Sequence, residues 1–434
     1  MMEQGEIESR ISENFDSYEL FFLTERTKKL ESKDRDLCGV ELKEEEGIAL
    51  RGIKDNKAVF SYTYERGEKA VLALLSSVKV VAPFVEPDND AGFPGLFSRY
   101  PVVELYDGEG LKATPEIKAS LLMEMEGLIL DYDKRIVATR NCELQEEEIE
   151  VEIVNSKGLR AKGRKTLYAL SALCVAKDTD EVSWFDWAWA HSLKELDGRA
   201  LGLDIARKAV SFLSSEQIGT GIYNGILTPQ ASCEILGILS GSFLAESLYK
   251  NKTKLRDKVG EQCFSDAISI VDSGLAGMDG FAFDGEGVPS CENTLVEKGI
   301  FRSFLYDTYY GTKFGKPSTG NGVRTGLKEL PTCGRRGLFV KEGRTDLYGR
   351  MADGIIIEEL MGTHTANPIT GDFSLGAVGH LVRGGVRTPF KGVIFSGNIF
   401  ELLRSVREVG NDIRFYGTCG SPSLYAEGMK ISGK

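Results

Sequence analysis

The chain has 434 residues and a formal net charge of −12, from 53 Lys and Arg residues against 65 Asp and Glu residues. This length allows two or three domains, and a content of 42% hydrophobic and 27% charged residues excludes a disordered or fibrous protein. The acidic balance leaves no surplus of positive charge to neutralise phosphates, so direct contact with nucleic acid or with an anionic membrane surface is not expected.

The sequence contains no run of 18 apolar residues, which a membrane-spanning helix would need. Its first 15 residues are charged and lack the apolar segment of a secretory signal. Eight cysteines are scattered along the chain without a CxxC pair, which favours reduced thiols over a disulfide framework. Together these features predict a cytoplasmic protein.

The N-terminal half is predicted to combine strands with helices. The expected helices lie at 3–14, 68–81 and 114–133, the last with Thr114 as its N-cap. The expected strands lie at 17–32, 39–53, 57–65, 135–156, 158–177 and 181–192. Between them, the turn-rich segment 83–101 resembles a linker or an exposed loop.

The last of these strands holds all three tryptophans. Trp187 and Trp189 are two residues apart and would share one face of the strand, whereas Trp184 would lie on the other. An aromatic core or cap is the commoner explanation of such a cluster, and a peptide-binding platform is the functional alternative.

Glycine is more frequent after residue 216, which favours tight turns and a strongly curved β structure in the C-terminal half. We therefore divide the chain into domains at 1–195 and 196–434. Helices are predicted at 198–214, 229–248 and 399–410, the last ended by Asn411 and Asp412. Strands are predicted at 223–227, in a hairpin at 294–307 that turns at Lys298 and Gly299, and in a meander of short strands at 373–398.

Nucleotide chemistry has no support in the sequence. There is no P-loop and no GxSxG elbow, and the glycines at 285–287 and 320–322 are typical of loops. The chain has only three histidines, and no two of them share a helical turn. A zinc site would therefore need long-range convergence, for example of His364, His380 and Cys419. His380 lies between apolar neighbours, where a packing role is the commoner one.

Loop position singles out four candidate residues. Asp284 and Glu286 lie in a predicted turn, where two carboxylates suit a cation or a general base, although a solvated hairpin tip is the commoner arrangement. His364 lies in a loop rich in Thr, Ser and Asp, which is typical of self-capped turns. Cys419 is flanked by turn residues, where an exposed thiol would suit a ligand or nucleophile, although an inert cysteine in a turn is the commoner explanation.

Three segments resemble the TldD/PmbA family, whose members were named modulators of DNA gyrase and later understood as peptidases. They are FDGEGVPSCENTLVEKGIFRSFLYD and its continuation to residue 322, the segment ITGDFSLGAVGHLVRGG and its continuation to residue 412, and GTCGSPS at 417–423. Their order and spacing fit the family, and a weaker similarity appears at 47–63. The resemblance covers most of the chain and is strongest over 220–434.

The resemblance implies an α+β fold, with an N-terminal α/β domain and a C-terminal curved, mainly antiparallel β domain with packed helices. It also implies a dimer that encloses a chamber for unfolded or short peptides. Substrate peptide could bind there by adding a strand along an exposed sheet edge.

The family has two kinds of subunit. In the TldD kind, HExxxH on a helix supplies two zinc ligands and a general base, and a cysteine near the C-terminus also binds the zinc. The PmbA (TldE) kind lacks the motif and pairs with TldD. The corresponding positions here are Gly237, Ile238 and Ser242, so ligands and base are absent together, although Cys419 matches the family cysteine. The resemblance therefore implies no catalytic residue, metal or cofactor in this chain, with zinc expected in a TldD-like partner.

Three functions remain open from the sequence. The first is a non-catalytic PmbA/TldE-like subunit of a TldD-type zinc metallopeptidase, with Asp284, Glu286, His364 and Cys419 as candidate peptide-binding or chamber-lining residues. The second is a homodimeric peptidase that uses Cys419 with His364 or His380. The third is a protein-binding modulator of DNA gyrase, for which a charge of −12 suits contact with protein and opposes contact with DNA.

Overall fold

The computed structural model describes residue 8 and residues 10–434. The predicted helix at 3–14 falls partly on residues 1–7 and 9, which lie outside the described residues, and residues 10–12 are helical. The α-helices after this point are α1 (Glu68–Val81), α2 (Gly108–Lys112), α3 (Pro115–Tyr132), α4 (Gly198–Ser211), α5 (Pro229–Leu239), α6 (Ala245–Tyr249), α7 (Thr308–Phe314) and α8 (Ile399–Arg404).

The strands fall into two groups along the chain. The N-terminal group is β1 (Ser17–Lys33), β2 (Asp36–Lys54), β3 (Lys57–Thr63), β4 (Ile136–Asn155), β5 (Arg160–Lys177) and β6 (Glu181–Ala190). The C-terminal group is β7 (Gly221–Leu227), β8 (Ile270–Ser273), β9 (Glu292–Glu297), β10 (Ile300–Phe301), β11 (Gly322–Val323), β12 (Thr332–Cys333), β13 (Leu338–Val340), β14 (Gly354–Met361), β15 (Asp372–Arg383), β16 (Val386–Asn398), β17 (Val406–Val409), β18 (Arg414–Tyr416), β19 (Cys419–Ser421) and β20 (Leu424–Ser432).

The six N-terminal strands form one antiparallel sheet in the order β3-β2-β1-β4-β5-β6. Alternation of side chains gives this sheet two different faces. One face packs against α1, α3 and α4, through residues such as Leu50 and Leu170. The opposite face carries Phe21 and packs against Phe281 and Phe283 from the C-terminal half. The sheet therefore lies between a helical layer and loops of the C-terminal half.

The segments that the sequence assigns to a domain boundary and to a linker both pack against other elements. Helix α4 follows the predicted boundary at 195 and packs on the N-terminal sheet, where Ile205 shares an apolar cluster with Leu122. The segment 83–101 contacts both halves, because the carbonyl of Pro94 accepts a hydrogen bond from the Asn155 side chain and the Tyr100 hydroxyl donates to the carbonyl of Gly287.

The C-terminal half is built from a barrel and a second sheet. Strand β16 pairs with both β15 and β20, which closes β7, β14, β15, β16 and β20 into a barrel. The second sheet has the order β10-β9-β8-β13-β19-β18. Helix α5 packs between them, with Ile235 in the same apolar cluster as Leu338 of β13 and Ile357 of β14. The predicted α+β fold, with a curved and mainly antiparallel C-terminal part, is confirmed.

Three predicted elements of this half differ in extent. The helix predicted at 229–248 breaks into α5, a 3-10 turn at Ser240–Phe243 and α6, because serine and glycine at 240–242 are poor helix formers. The helix predicted at 399–410 ends at Arg404, and Val406–Val409 pairs with β20 as β17. The meander at 373–398 is a hairpin of two long strands, which turns at Gly384 and Gly385 with positive φ.

No helix in residue 8 or residues 10–434 is both long and apolar enough to cross a membrane.

Candidate functional site

The positions that correspond to HExxxH lie at the end of α5. Gly237 and Ile238 are in its last turn, whereas Ser242 is in the 3-10 turn that follows. Ser242 is fully buried, and its Oγ donates a hydrogen bond to the carbonyl of Pro368 at 3.3 Å. The Gly237 carbonyl accepts a hydrogen bond from Nη1 of Arg335 at 3.3 Å. This nitrogen lies 3.9 Å from the position that a Cβ on residue 237 would take. A permanent positive charge therefore lies beside the position where the HExxxH motif has its first histidine.

Cys419 begins β19 and is 5% exposed, so the predicted exposed thiol is wrong. Helix α5 covers this end of the second sheet and places Cys233 against it. Each thiol donates to the carbonyl of the other residue at 3.4 Å. Hydrogen bonding from Cys233 lowers the pKa of Cys419, as does the guanidinium of Arg335, although burial opposes both. The same contact and burial raise the pKa of Cys233.

Within the described residues, the hydrogen bond of the Cys419 thiol goes to Cys233 and not to a histidine. His364 is exposed on a 3-10 turn, Thr363–Thr365. His380 lies on β15, with Nδ1 3.4 Å from a carboxylate oxygen of Glu358 and its ring 5.2 Å from that of Phe212. No group of three His, Cys, Asp or Glu side chains within residues 10–434 or at residue 8 is placed to hold a metal ion. The residues around Gly237 and Cys419 therefore do not fit a zinc ion.

Asp284 and Glu286 are buried, at 3% and 2% exposure, so the alternative of a solvated hairpin tip is wrong. Asp284 accepts hydrogen bonds from the backbone N–H groups of Glu286 and Val288 at 2.9 Å and of Gly322 at 2.8 Å. Burial, and then the charge of Glu286, raise the pKa of Asp284 to about 7. Glu286 accepts a hydrogen bond from the N–H of Thr308 at 2.8 Å. Both carboxyl groups thus hold loops of the C-terminal half together.

Beside them, Glu19 of β1 forms a buried ion pair across the two halves of the molecule. Arg51 of β2 donates to both carboxylate oxygens of Glu19, at 3.0 and 2.7 Å. Arg324, from the loop after β11, donates to the same carboxylate at 2.5 Å. Burial raises the pKa of Glu19, but the two guanidinium groups outweigh it and the pKa is lowered.

A cavity of about 320 Å³ lies between the face of the N-terminal sheet that carries Phe21 and loops of the C-terminal half. Its walls include the rings of Phe21, Phe281 and Phe283. We call it the cationic cavity, because four positively charged side chains line it against three acidic ones. The cations are Lys165, Arg324, Arg335 and Arg336, and the acids are Glu25, Asp279 and Asp284.

The sequence reasoning did not single out these cations, although it considered the glycines at 320–322 just before Arg324. The sequence signal is the occurrence of arginines between glycines in two loops, GVRTG at 322–326 and CGRRG at 333–337. Arginine placed in loops of this kind is suited to binding carboxylate or phosphate groups.

A second cleft, of about 270 Å³, continues along the same face of the sheet. Trp187 and Phe185 line it together with Glu143, Glu147, Leu167 and Met278, and we call it the aromatic cleft. Trp184 points to the other face, where it is 4% exposed and stacks on Phe212 with ring centroids 5.1 Å apart. The predicted division of the tryptophans between two faces is confirmed, and Trp184 belongs to the core.

Glu234, three residues before Gly237, gives the site a testable pH dependence. Burial, together with the charge of Glu359, raises the pKa of Glu234 to about 8. A hydrogen bond from the N–H of Leu360, at 2.7 Å, acts in the opposite direction but is outweighed. The unfolded chain loses this proton first as the pH rises above 4.5, so Glu234 lowers the free energy of unfolding progressively up to about pH 8. We expect Glu234→Gln to match the wild type at pH 4 to 5 and to be more stable by about 2–4 kcal/mol at pH 9 in urea unfolding. An equal difference at both pH values would contradict this.

Family models and relatives of known sequence match most of this chain. The family model of the PmbA/TldA metallopeptidase central domain matches residues 109–213, and that of the C-terminal domain matches residues 220–433. An uncharacterized protein from Methanocaldococcus jannaschii is 28% identical over 89% of each chain. Metalloprotease PmbA from Escherichia coli O157:H7 is 25% identical over 91% of this chain and 87% of its own length.

Solved structures agree over almost the whole length. A structure from Thermotoga maritima, described as a modulator of a DNA gyrase, has a TM-score of 0.88 and 26% identity, and covers 99% of this chain and 100% of its own. TldE from Thermococcus kodakarensis has a TM-score of 0.91 and 23% identity over 99% of both chains, which supports the fold alone. With both domain models matched in order, this chain belongs to the PmbA/TldD metallopeptidase family.

Proposed function

We propose that this chain acts in peptide proteolysis as a PmbA/TldE-like subunit that carries no zinc and completes the peptide-binding surface of a TldD-type metallopeptidase in the cytoplasm. The observation that supports this most directly is the end of α5. There Gly237, Ile238 and Ser242 replace ligands and base, and the guanidinium of Arg335 contacts Gly237.

A catalytic zinc site needs three protein ligands around an open position. The thiol of Cys419 could supply one ligand, but it is buried against Cys233 and has no imidazole partner among the described residues. In the cationic cavity and the aromatic cleft, the side chains that face open space are aromatic, apolar and charged groups. Such groups bind peptides without reacting with them. Binding to peptide, with hydrolysis on a partner, is therefore the function that this arrangement supports best.

The test is to mix the purified chain with a TldD-type subunit that carries HExxxH and to follow cleavage of a quenched fluorescent peptide. We expect the mixture to cleave faster than the sum of the two separate rates, because one subunit supplies zinc chemistry and the other supplies binding surface. The chain alone should contain well under one zinc per molecule by elemental analysis. Cleavage that does not increase on mixing would contradict the proposal.

Cys419→Ala separates this proposal from a homodimeric cysteine-dependent peptidase. The variant should stimulate cleavage as the wild type does, since Cys419 touches only Cys233 and the core around it. Loss of activity by a correctly folded Cys419→Ala chain, tested without any partner, would instead support an enzyme that uses this thiol.

A further inference from the structure

We propose that the cationic cavity binds the C-terminal carboxylate of a peptide, with the apolar side chain of the last residue packed against Phe21, Phe281 and Phe283. This inference rests on the proposed function, because it specifies which part of the peptide this subunit holds. The cationic cavity, which shares Arg335 with the surroundings of Gly237, would then bind the C-terminal end of a peptide.

Arg324 is the main observation behind this inference. Its side chain is 1% exposed and lines the cavity, and its guanidinium lies 4.1 Å from the centre of the Phe21 ring. Nη2 donates to Glu19, but Nε and Nη1 have no hydrogen-bond partner within the described part of the chain. Buried donors of a charged group are rarely left without an acceptor, because desolvation is then uncompensated. A carboxylate in the cavity would supply the missing acceptor oxygens.

Lys165 provides a second donor on the sheet side of the cavity. Its side chain is 10% exposed, and Nζ donates one hydrogen bond to the carbonyl of Met278 at 3.1 Å, with Asp279 at 3.9 Å. An ammonium group has three donors, so at least one remains for a ligand. Arg335 uses one of its five donors on Gly237. Arg336 is already engaged by Ser290 and by the carbonyl of Phe283.

The acidic side chains of the cavity leave room for an anion. Asp284 already accepts hydrogen bonds from three backbone N–H groups and belongs to the loop that it organises. Asp279 is 55% exposed and lies at the rim, where solvent screens its charge. Glu25 is half-buried, and burial together with the charge of Glu147 raises its pKa, which favours its neutral form. Glu19, which is not among the lining residues, neutralises Arg324 only in part, because it shares its charge with Arg51.

The surroundings favour a peptide over a small inorganic anion. Three aromatic rings give the cavity an apolar wall, which an apolar side chain would cover and a phosphate or sulfate would not. Lys165 in the cavity and Leu167 in the aromatic cleft are two residues apart on the same face of β5, a distance of about 7 Å. An extended peptide with its carboxylate in the cavity would therefore place the preceding residues over Leu167 and Trp187.

The test measures binding to the chain alone by fluorescence anisotropy, with an N-terminally labelled peptide that ends in phenylalanine. We compare the free acid, the C-terminal amide, and an amide that ends in glutamate. The free acid should bind at least about tenfold more tightly than either amide, which corresponds to about 1.4 kcal/mol. Lys165→Met should remove most of this difference, and so should Arg335→Met.

Lys162→Met is the matched control, because Lys162 lies on the same strand, faces the other side of the sheet, and is 62% exposed. It should keep the preference for the free acid. Equal binding of acid and amide, or no binding of any of the three peptides, would overturn the inference. Tight binding of the glutamate-ending amide would assign the cavity to acidic side chains and overturn the C-terminal assignment. This binding test uses the chain without a TldD-type subunit. A negative result here can therefore be told apart from a negative result in the cleavage test, which uses the mixture.

Discussion

Glu19→Gln is expected to lower the free energy of unfolding by about 3–5 kcal/mol. The substitution keeps the shape of the side chain but removes the charge that Arg51 and Arg324 share. Glu19 is 0% exposed and the Arg324 side chain is 1% exposed, so water cannot replace the lost carboxylate. Arg324 then loses its carboxylate partner, Arg51 keeps only the longer contact of 3.7 Å with Glu286, and the contact between the N-terminal sheet and the C-terminal half is weakened.

Urea unfolding at pH 7 measures this loss, with Glu297→Gln as the control. Glu297 pairs with Arg302 on the surface, where the side chains are 58% and 42% exposed, and such a pair contributes less than about 1 kcal/mol. The lowered pKa of Glu19 sets the pH dependence. The stabilisation by the Glu19 carboxylate is fully present above the pKa that Glu19 has in the unfolded chain. It is lost as the pH falls through the lower pKa of the folded state, so the wild type and Glu19→Gln should have similar free energies of unfolding in acid. Comparable small losses in both variants at pH 7 would contradict the role given to Glu19.

Sequence patterns predicted the elements whose determinants are local. The strand-like sequence of 158–177 predicted β5, and the spacing of Trp184, Trp187 and Trp189 correctly divided them between two faces. The turn at Lys298 and Gly299 was also found, where both residues adopt positive φ. The absence of HExxxH could be read from the sequence as well, since the motif spans only six residues.

What could not be predicted depends on contacts between distant segments. Glu19 and Arg324 are separated by 305 residues and meet only because the N-terminal sheet packs on the loop after β11. Cys419 was expected at the surface, and it is buried because α5 lies across β19. The end of α8 was misplaced for a similar reason, because pairing of Val406 and Val409 with β20 outweighed the helical pattern. Local patterns thus defined most strands, whereas packing determined the cavity and its charges.

Gly379→Ala is expected to destabilise the protein by about 3 kcal/mol or more, because glycine allows β15 to approach β14 closely. A Cβ at residue 379 would lie 1.9 Å from the carbonyl oxygen of Ile356, which is backbone and cannot rotate away. On the other side of β14, a Cβ at Gly225 would lie 2.1 Å from the carbonyl oxygen of Ile355. Strand β14 is therefore confined between two neighbours in a closed barrel, and neither can move outward without breaking a ladder.

Gly127→Ala is the matched substitution with the opposite expected sign. Gly127 lies inside α3, and a Cβ there would meet no atom within 4 Å. Alanine is the better helix former, so this variant should gain about 0.5–1 kcal/mol in the same urea measurement. A lower free energy of unfolding in both variants would mean that glycine stabilises α3 as well. A small effect of Gly379→Ala would mean that the barrel can expand to accept the added methyl group. Since α5 packs against β14, an expandable barrel would also allow the degenerate motif and the cationic cavity to change shape.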